Sequence, residues 1–416
     1  ADERRLFERL AVFRGGRSLD AVEVICGENL STDVYDLLGS LLDKNLVQQK
    51  ELPDGEPRFV LLEMIHEYAR EQLEASAEAE MMRKRYGEYF VALAEQGEPE
   101  LRLAGYDYWC GRFELERDNI LAALEWALND GDVALGARLA GALGLFWFSR
   151  GYHVEGIRWT EPLLERLDNV PTMYHPKFLI SAGHMALLQD IDTGKQLLIR
   201  ALAIARDLGD KLQTAWALTY LGYTMQREPE TAMPIAEKGL ELFREMNHQP
   251  GIAQALNIIG EIARVSGDDE RAKQAYEQCL SVCQQTGEVR RIYYNYQNLA
   301  YIAQHEGDHE RALDLVKQAL QLSRGKKDTH SITTLLMTFA GSIAALGQLQ
   351  RAVALLGASE VALEGRGTFH KPSDQPEIER IIAAVRAQLD GATFEAAWAE
   401  GRKITLEQAV ADALEK

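Results

Sequence analysis

The stretch Asn257–Gln285 reads NIIGEIARVSGDDERAKQAYEQCLSVCQQ, and its pattern is that of a helix–turn–helix hairpin. Ile258, Ile259, Ile262 and Ala263 fall at helical spacing. The run Gly267–Glu270 makes a turn, and Ala272, Ala275, Tyr276, Leu280 and Val282 then resume the apolar face. The unit recurs around Ala300, with Gly307, Ala312 and Leu320, and around Ala340, with Gly347 and Ala352. Looser copies lie upstream, on Gly222 with Leu240, on Gly183 with Leu202, and on Gly151 with Gly156 and Leu164. The leucines at 164, 202, 240, 280 and 320 are spaced by 38, 38, 40 and 40 residues. One hairpin per fixed period predicts a stacked helical solenoid over residues 131–360.

The anchors of these copies resemble the tetratricopeptide repeat. A small residue stands in each first helix (Gly222, Gly260, Ala300, Ala340) and a Gly in the turn, and in the later copies an Ala follows twelve residues after the anchor (Ala272, Ala312, Ala352). Small residues let the two helices of a hairpin approach closely. The period is longer than the family's ~34 residues, which implies longer helices. The resemblance implies a right-handed superhelix whose first helices line a groove. The matching positions are Trp216, Thr219, Tyr223 and Gln226, then Gln254, Asn257, Glu261 and Arg264, then Tyr294, Gln297, Tyr301 and Gln304. This set is rich in residues that combine contact area with hydrogen bonding, so a protein or small-molecule ligand is expected there. The Lys/Asn clamp for a peptide carboxylate is missing. The alternative is that some of these side chains pack between neighbouring repeats.

Composition narrows the classes. The 416 residues are long for one core. The 64 acidic and 45 basic side chains give a net charge of −19, which repels nucleic acid and anionic membranes. There is no apolar run of membrane-spanning length and no signal-peptide pattern. The chain begins with Ala and enters a helix at once, which reads as a piece of a longer protein. Cys26, Cys110, Cys279 and Cys283 suggest no disulfide framework, so a reducing cytoplasm is expected. Cys279 and Cys283 sit four residues apart without nearby partner ligands and read as small apolar fillers.

Upstream of the repeats, residues 3–13, 19–26 and 32–44 predict three helices, with Ser18 capping the second and Ser31 or Thr32 the third. Residues 46–50 and 58–62 predict two strands around a turn at 53–56. Three helices and a hairpin make a winged helix over residues 1–75. The would-be recognition helix carries Asp33, Asp36 and Asp43 against Lys44, and residues 1–75 hold nine basic against sixteen acidic side chains. Entry into a DNA groove needs Lys and Arg for the phosphates, so DNA reading is not expected. Residues 76–130 predict linking helices, and 361–416 capping helices; the fold class is mainly all-α.

The strings LFERLAVFRGG, LLGSLLDKNLV and RFVLLEMIHEYAREQLE, followed by RFELERDNILAALEWAL at 112–128, are similar to the C-terminal half of bacterial signal-transducing ATPases with numerous domains (STAND proteins). The resemblance extends to TFEAAWAEGRKITLEQAVADAL at 393–414. It implies a winged helix and a repeat sensor that hold an ATPase module in its ADP-bound state until a signal arrives. No G-x-x-x-x-G-K-[ST] occurs in the sequence, so the chain is expected to be no enzyme. The family's ATP or ADP would then bind an ATPase module elsewhere in the same full-length protein. Related eukaryotic and plant proteins carry a Met-His-Asp motif after the hairpin whose His contacts ADP. The matching positions here are Leu61, Leu62 and Glu63, so any nucleotide contact would differ. His66, one helical turn on, reads as a half-buried structural His, and Glu63 as an N-cap or first-turn acid.

His305-Glu306-Gly307-Asp308-His309 matches H-E-x-x-H literally. That zinc chemistry needs both His on one continuous helix, and Gly307 aligns with the turn glycines Gly267 and Gly347, so the helix is expected to stop between them. Acids such as Asp268, Asp269 and Asp308 read as caps. The resemblance therefore implies a sensor region of a STAND ATPase. Its rivals are a DNA-binding transcriptional regulator and a plain protein–protein scaffold.

Overall fold

The computed structural model describes residues 1–51, 56–129, 131–187, 189–326, 328–364 and 373–415. They form two compact units. One holds residues 1–101, 107–146 and 156–181; the other holds 102–106, 147–155 and everything from 182 onward.

In the first unit, α1 (Asp2–Arg9), α2 (Leu19–Cys26) and α3 (Val34–Asp43) precede an antiparallel pair, β1 (Gln48–Glu51) and β2 (Pro57–Val60), with Gln49 opposite Phe59. Leu6, Leu10, Phe13, Ala21, Val22, Ile25, Leu38 and Phe59 make the core, an apolar stripe from each helix turned to one centre. Ser18 caps α2, accepting from the Ala21 N–H at 3.2 Å, as its position before the apolar run predicts. The cap of α3 is Asp33 rather than Ser31 or Thr32. Those two residues instead donate their backbone N–H groups to the Asp2 carboxylate. β1 starts two residues later than expected because Leu46 and Val47 bond back to the Leu41 carbonyl, and β2 runs from Pro57 to Val60. Residues 53–55 of the expected turn lie outside the described residues.

α4 (Glu63–Ala75), α5 (Ala79–Glu100), α6 (Tyr106–Leu115), α7 (Arg117–Asn129), α8 (Val133–Arg150), α9 (His153–Glu165) and α10 (His175–Ala186) follow. A buried polar lock ties the first three helices and β2 to α6 and α7. Arg58 donates to Glu116 at 2.7 and 3.0 Å and to the Gly16 and Leu115 carbonyls. Asn119 accepts from the Arg14 and Gly15 N–H groups and donates to the Gly16 carbonyl and to Glu116. Gly16 has to lack a side chain here: a Cβ would sit 2.8 Å from the Arg58 guanidinium nitrogen. The Arg–Glu pair is nearly waterless, so its geometry sets specificity more than net stability.

The second unit runs through α11 (Ile191–Asp207), α12 (Lys211–Thr224), α13 (Pro229–Glu245), α14 (Gln249–Val265), α15 (Asp269–Thr286), α16 (Val289–His305), α17 (His309–Ser323), α18 (Thr329–Ala345) and α19 (Leu349–Glu364). Helices pack as the hairpins α12/α13, α14/α15, α16/α17 and α18/α19, each against the next. Gly267, Gly307 and Gly347 close their turns at φ of 81°, 78° and 88°, a left-handed conformation that a Cβ disfavours. Asp268 and Asp308 then cap the second helices. Gly260 lets α14 meet α15, since a Cβ there would lie 2.4 Å from the Tyr276 ring.

Beyond α19 come α20 (Gln375–Arg386), α21 (Gly391–Gly401) and α22 (Leu406–Leu414). α21 and α22 pack on the last repeats, with Arg402 bonded to Glu360 and Glu364 and Arg351 to Asp412. α20 also packs on α18 and α19, and its N-terminal turn reaches back to α14 and α16.

Candidate functional site

Three successive first helices present side chains to α20. From α14, Arg264 donates to Glu377 at 2.8 Å, to the Ser373 carbonyl at 2.8 Å and to Asp374 at 3.3 Å. From α16, His305 and Gln304 face Glu377 and Arg380. From α18, Gly341 leaves the space that Ile381 fills, for a Cβ there would lie 2.9 Å from it. On α20 the buried residues are Asp374, Glu377, Ile378, Ile381 and Val385, while Gln375, Glu379, Arg380 and Ala384 face water. This one-sided spacing is how an amphipathic helix lies on a receptor surface.

The electrostatics of this cradle are strong because it is dry. The Arg264 side chain is 1% exposed. Burial opposes its charge, but Tyr276, Asp374 and Glu377 hold its pKa above the ordinary arginine value. Tyr301 lies beneath the guanidinium, 4.9 Å from it to the ring centre, and the Tyr276 hydroxyl accepts from Nε at 3.4 Å. Burial also works against ionised Glu377, yet the hydrogen bond to His305 and the Arg264 charge bring its carboxyl down to about 2. His305 is raised, chiefly by the Glu377 hydrogen bond and further by Asp269. Its Nδ1 faces Asp269 at 3.0 Å and its Nε2 faces Glu377 at 3.1 Å. Two carboxylates on two ring nitrogens favour the imidazolium, the one form in which both nitrogens donate.

The expected groove residues divide between three fates. Arg264, Tyr301 and Gln304 join the α20 cradle, and Tyr223 lies beside Asp374 and Ser373. Others stitch one repeat to the next. Gln254 accepts from Arg291 at 2.8 Å, Asn257 accepts from Asn298 and donates to Glu261, and Gln297 accepts from Thr334. Gln304 also bonds the Thr338 carbonyl and Ser342, and Tyr294 receives Arg290 and Ser331. Thr219 turns into its own hairpin, where a Cβ on Gly239 would meet its hydroxyl. Gln226 is buried as well. Most of these twelve positions are buried and bonded between repeats, which is the packing alternative at those residues, while the Thr219 hydroxyl and the Gln226 carbonyl oxygen are buried without a partner. Sequence reasoning missed His305 as a cradle residue, having weighed it only as a zinc ligand, and missed Asp374 and Glu377 altogether.

Trp216 heads an aromatic ladder. It stacks with Tyr220, Tyr220 with His184 and His184 with Phe148, at 5.9, 4.5 and 4.1 Å between ring centres. Arg102 lies over Trp216 at 4.4 Å. At the N-terminal ends of α16 and α18, Arg290 pairs with Asp328 and sits over Tyr106. Residues 102–106 and α20 therefore both pack on first helices.

The remaining motifs resolve by geometry. α16 ends at His305 and α17 begins at His309, so the H-E-x-x-H pair lies on two helices with Gly307 between them. Cys279 and Cys283 are buried with sulfurs 3.9 Å apart. In the first unit, His66 bonds the Phe13 carbonyl at 2.8 Å and burial lowers its pKa. Leu62 is 47% exposed at the N-cap of α4, and Glu63 is a first-turn acid. Asp33, Asp36 and Asp43 on and beside α3 are exposed, and Lys44 is bonded to Glu3 at 2.5 Å. Among the described residues no helix is long and apolar enough to cross a membrane.

Comparison with known proteins supports this architecture. Residues 1–74 match the winged helix-turn-helix domain family and residues 251–324 the tetratricopeptide repeat family. Over 300 residues, 69% of this chain, the sequence is 32% identical to proteins of Mycobacterium tuberculosis (strain H37Rv) and Mycobacterium bovis that carry the provisional name HTH-type transcriptional regulator. The chain spans about a third of those relatives' length: the match covers 33% of each. Among solved structures, a Rap protein complexed with Competence and Sporulation Factor is similar at a TM-score of 0.59 and 13% identity, over 84% of this chain and 93% of that one. A STAND protein with a tetratricopeptide repeat sensor from Pyrococcus horikoshii is similar at 0.49 and 16% identity, over 100% and 65%, a likeness too loose to carry an argument. The fold is a winged helix followed by a tetratricopeptide-like α-solenoid.

Proposed function

We propose that the chain is the sensor and regulatory region of a signal-transducing ATPase of the STAND kind. In this reading the first-helix face of the solenoid is the receiving surface for a protein or small-molecule signal. Its occupation sets the state of the winged helix and, through it, of an ATPase module carried elsewhere in the full-length protein. ATP or ADP would belong to that module, and we assign this chain no catalytic role. The observation that carries the reading is the cradle of Arg264, Gln304 and His305, in which consecutive repeats converge on one docked segment. A Rap protein of this general fold was solved with Competence and Sporulation Factor bound, which fits a receiving role for such a scaffold. A ligand can shift such a system only by preferring one state over the other.

Hydrogen exchange tests the reading. Arg264→Ala, which loosens α20, is expected to lower protection in residues 375–386 and also to change it in residues 56–75. Change confined to α20, with the winged helix unmoved, would make the chain a plain scaffold.

A second reading has one observation in its favour: the winged-helix match at residues 1–74 together with the name of the mycobacterial relatives. In it the chain belongs to a transcriptional regulator. The acidic surface of α3 weighs against this helix as the DNA-reading element.

A further inference from the structure

α11 to α19 each pack against their neighbours in sequence, and α21 and α22 close the last repeats. α20 packs on α18 and α19 too, but its first turn also returns to helices far behind it in the chain: Glu377 meets Arg264, 113 residues away, and His305, 72 residues away. It brings an apolar stripe, Ile378, Ile381 and Val385, and an acidic first turn, Asp374 and Glu377, while its opposite side is in water. The cradle is complementary in chemistry, with a buried arginine and a histidine for the acids and a glycine seat for an isoleucine.

We propose that α20 is an exchangeable ligand resident in its own receptor surface. The partner it stands in for is an amphipathic helix of another protein, with carboxylates in its first turn and branched apolar residues four, seven and eleven positions after the first of them. The inference rests on the sensor reading and names the class of its signal. Exchange is open to α20 because its neighbours are fastened separately: Arg402 with Glu360 and Glu364, and Arg351 with Asp412, hold α21 and α22 without it. A helix in the same chain competes at an effective concentration near millimolar, so an external helix binds well only when it is a better match or when α20 is weakened.

The test uses the full chain and, as probe, a labelled peptide with the sequence of residues 373–388, SDQPEIERIIAAVRAQ. Fluorescence polarisation is read for the wild type, for a Glu377→Gln/Ile381→Ser variant that weakens α20 and leaves the cradle whole, and for the same variant with Arg264→Ala added. We expect the α20 variant to bind the peptide at least about tenfold more tightly than the wild type. Adding Arg264→Ala should cost at least about tenfold of that gain, and a scrambled peptide should bind none of the three. Circular dichroism checks that each variant keeps its helices; if the double variant loses them, Glu377→Gln alone takes its place, and Arg264→Gln replaces Arg264→Ala in the same way. Equal binding by wild type and α20 variant, binding indifferent to Arg264, or no binding by a helical α20 variant would each overturn the proposal. Peptide exchange without winged-helix coupling in the hydrogen-exchange experiment would remove the sensor reading and leave this one. Coupling without exchange would do the reverse.

Discussion

Arg264 shows what a single buried charge decides. It holds Glu377, Asp374 and the Ser373 carbonyl at once from a nearly waterless position. Removing one partner of such a group strands the other, at a cost of about 3–5 kcal/mol. Arg264→Ala is expected to destabilise the chain by that order in urea unfolding; a loss under about 1 kcal/mol would mean that water already reaches the site. His305 adds a pH dependence. Its ring nitrogens face Asp269 from α15 and Glu377 from α20, and Glu377 in turn accepts from Arg380 on α20 and Arg264 on α14. Its folded pKa lies above the ordinary 6.5, so its contribution is complete below that value and is lost as pH rises through the raised one. Protection of α20, corrected for intrinsic exchange, should therefore fall as pH rises above the ordinary histidine value, and His305→Gln should flatten the curve. Glu377 runs the other way. With a folded value of about 2 against an ordinary 4.5, its contribution is present above 4.5 and disappears as pH falls towards 2.

At the scale of the element, each hairpin rests on a close approach written into the sequence. Gly260→Ala pushes a methyl group into the Tyr276 ring, and overpacking of this kind costs about 1–3 kcal/mol; a thermal melt of the variant should show the loss, and an unchanged melt would mean that the two helices can move apart. The turn glycines, the first-helix anchors and the Asp caps were all legible in the repeat because they are local. α20 was legible as a helix, since its apolar stripe has helical spacing, but its seat was not. Ile378, Ile381 and Val385 would look the same on a helix that caps the last repeat. Burying the three contributes roughly 6 kcal/mol before ordering costs, the scale of a local opening rather than of a permanent core. The polar residues of the first helices were equally ambiguous. Whether Asn257 or Gln297 meets a ligand or the next repeat depends on inter-helix distances that sequence spacing does not contain.

Across the whole molecule, charge distribution bears on partners. Of the arginines in the winged helix, Arg9, Arg17 and Arg58 are buried and bonded to protein groups, so their charges are withheld from any phosphate. With α3 acidic and a chain charge of −19, duplex DNA is expected to run unshifted in a gel assay at low salt, where phosphate contacts are strongest. A shift there that weakens steeply with added salt would favour the transcriptional reading. The same reasoning makes an acidic helix a more surprising partner than a basic one, since the molecule as a whole repels it. The local cradle prevails because buried charges act at short range through little water, while the surface field is screened within about 10 Å.

What the sequence by itself determined is the local and periodic part of this protein: the hairpin unit, its turns and caps, the winged helix and the acidity of its third helix. These follow from residues within a few positions of one another, whose sterics and hydrogen bonds are the same in any surroundings. The tertiary structure alone decided that Arg58, Glu116 and Asn119 form a lock, and that Arg264 and His305 receive Glu377. It also decided that the first-helix face is filled by the chain's own α20. Those outcomes depend on which surfaces meet across more than fifty residues of chain. That is settled by the competition of whole faces for burial, and by the need of each buried charge for a partner.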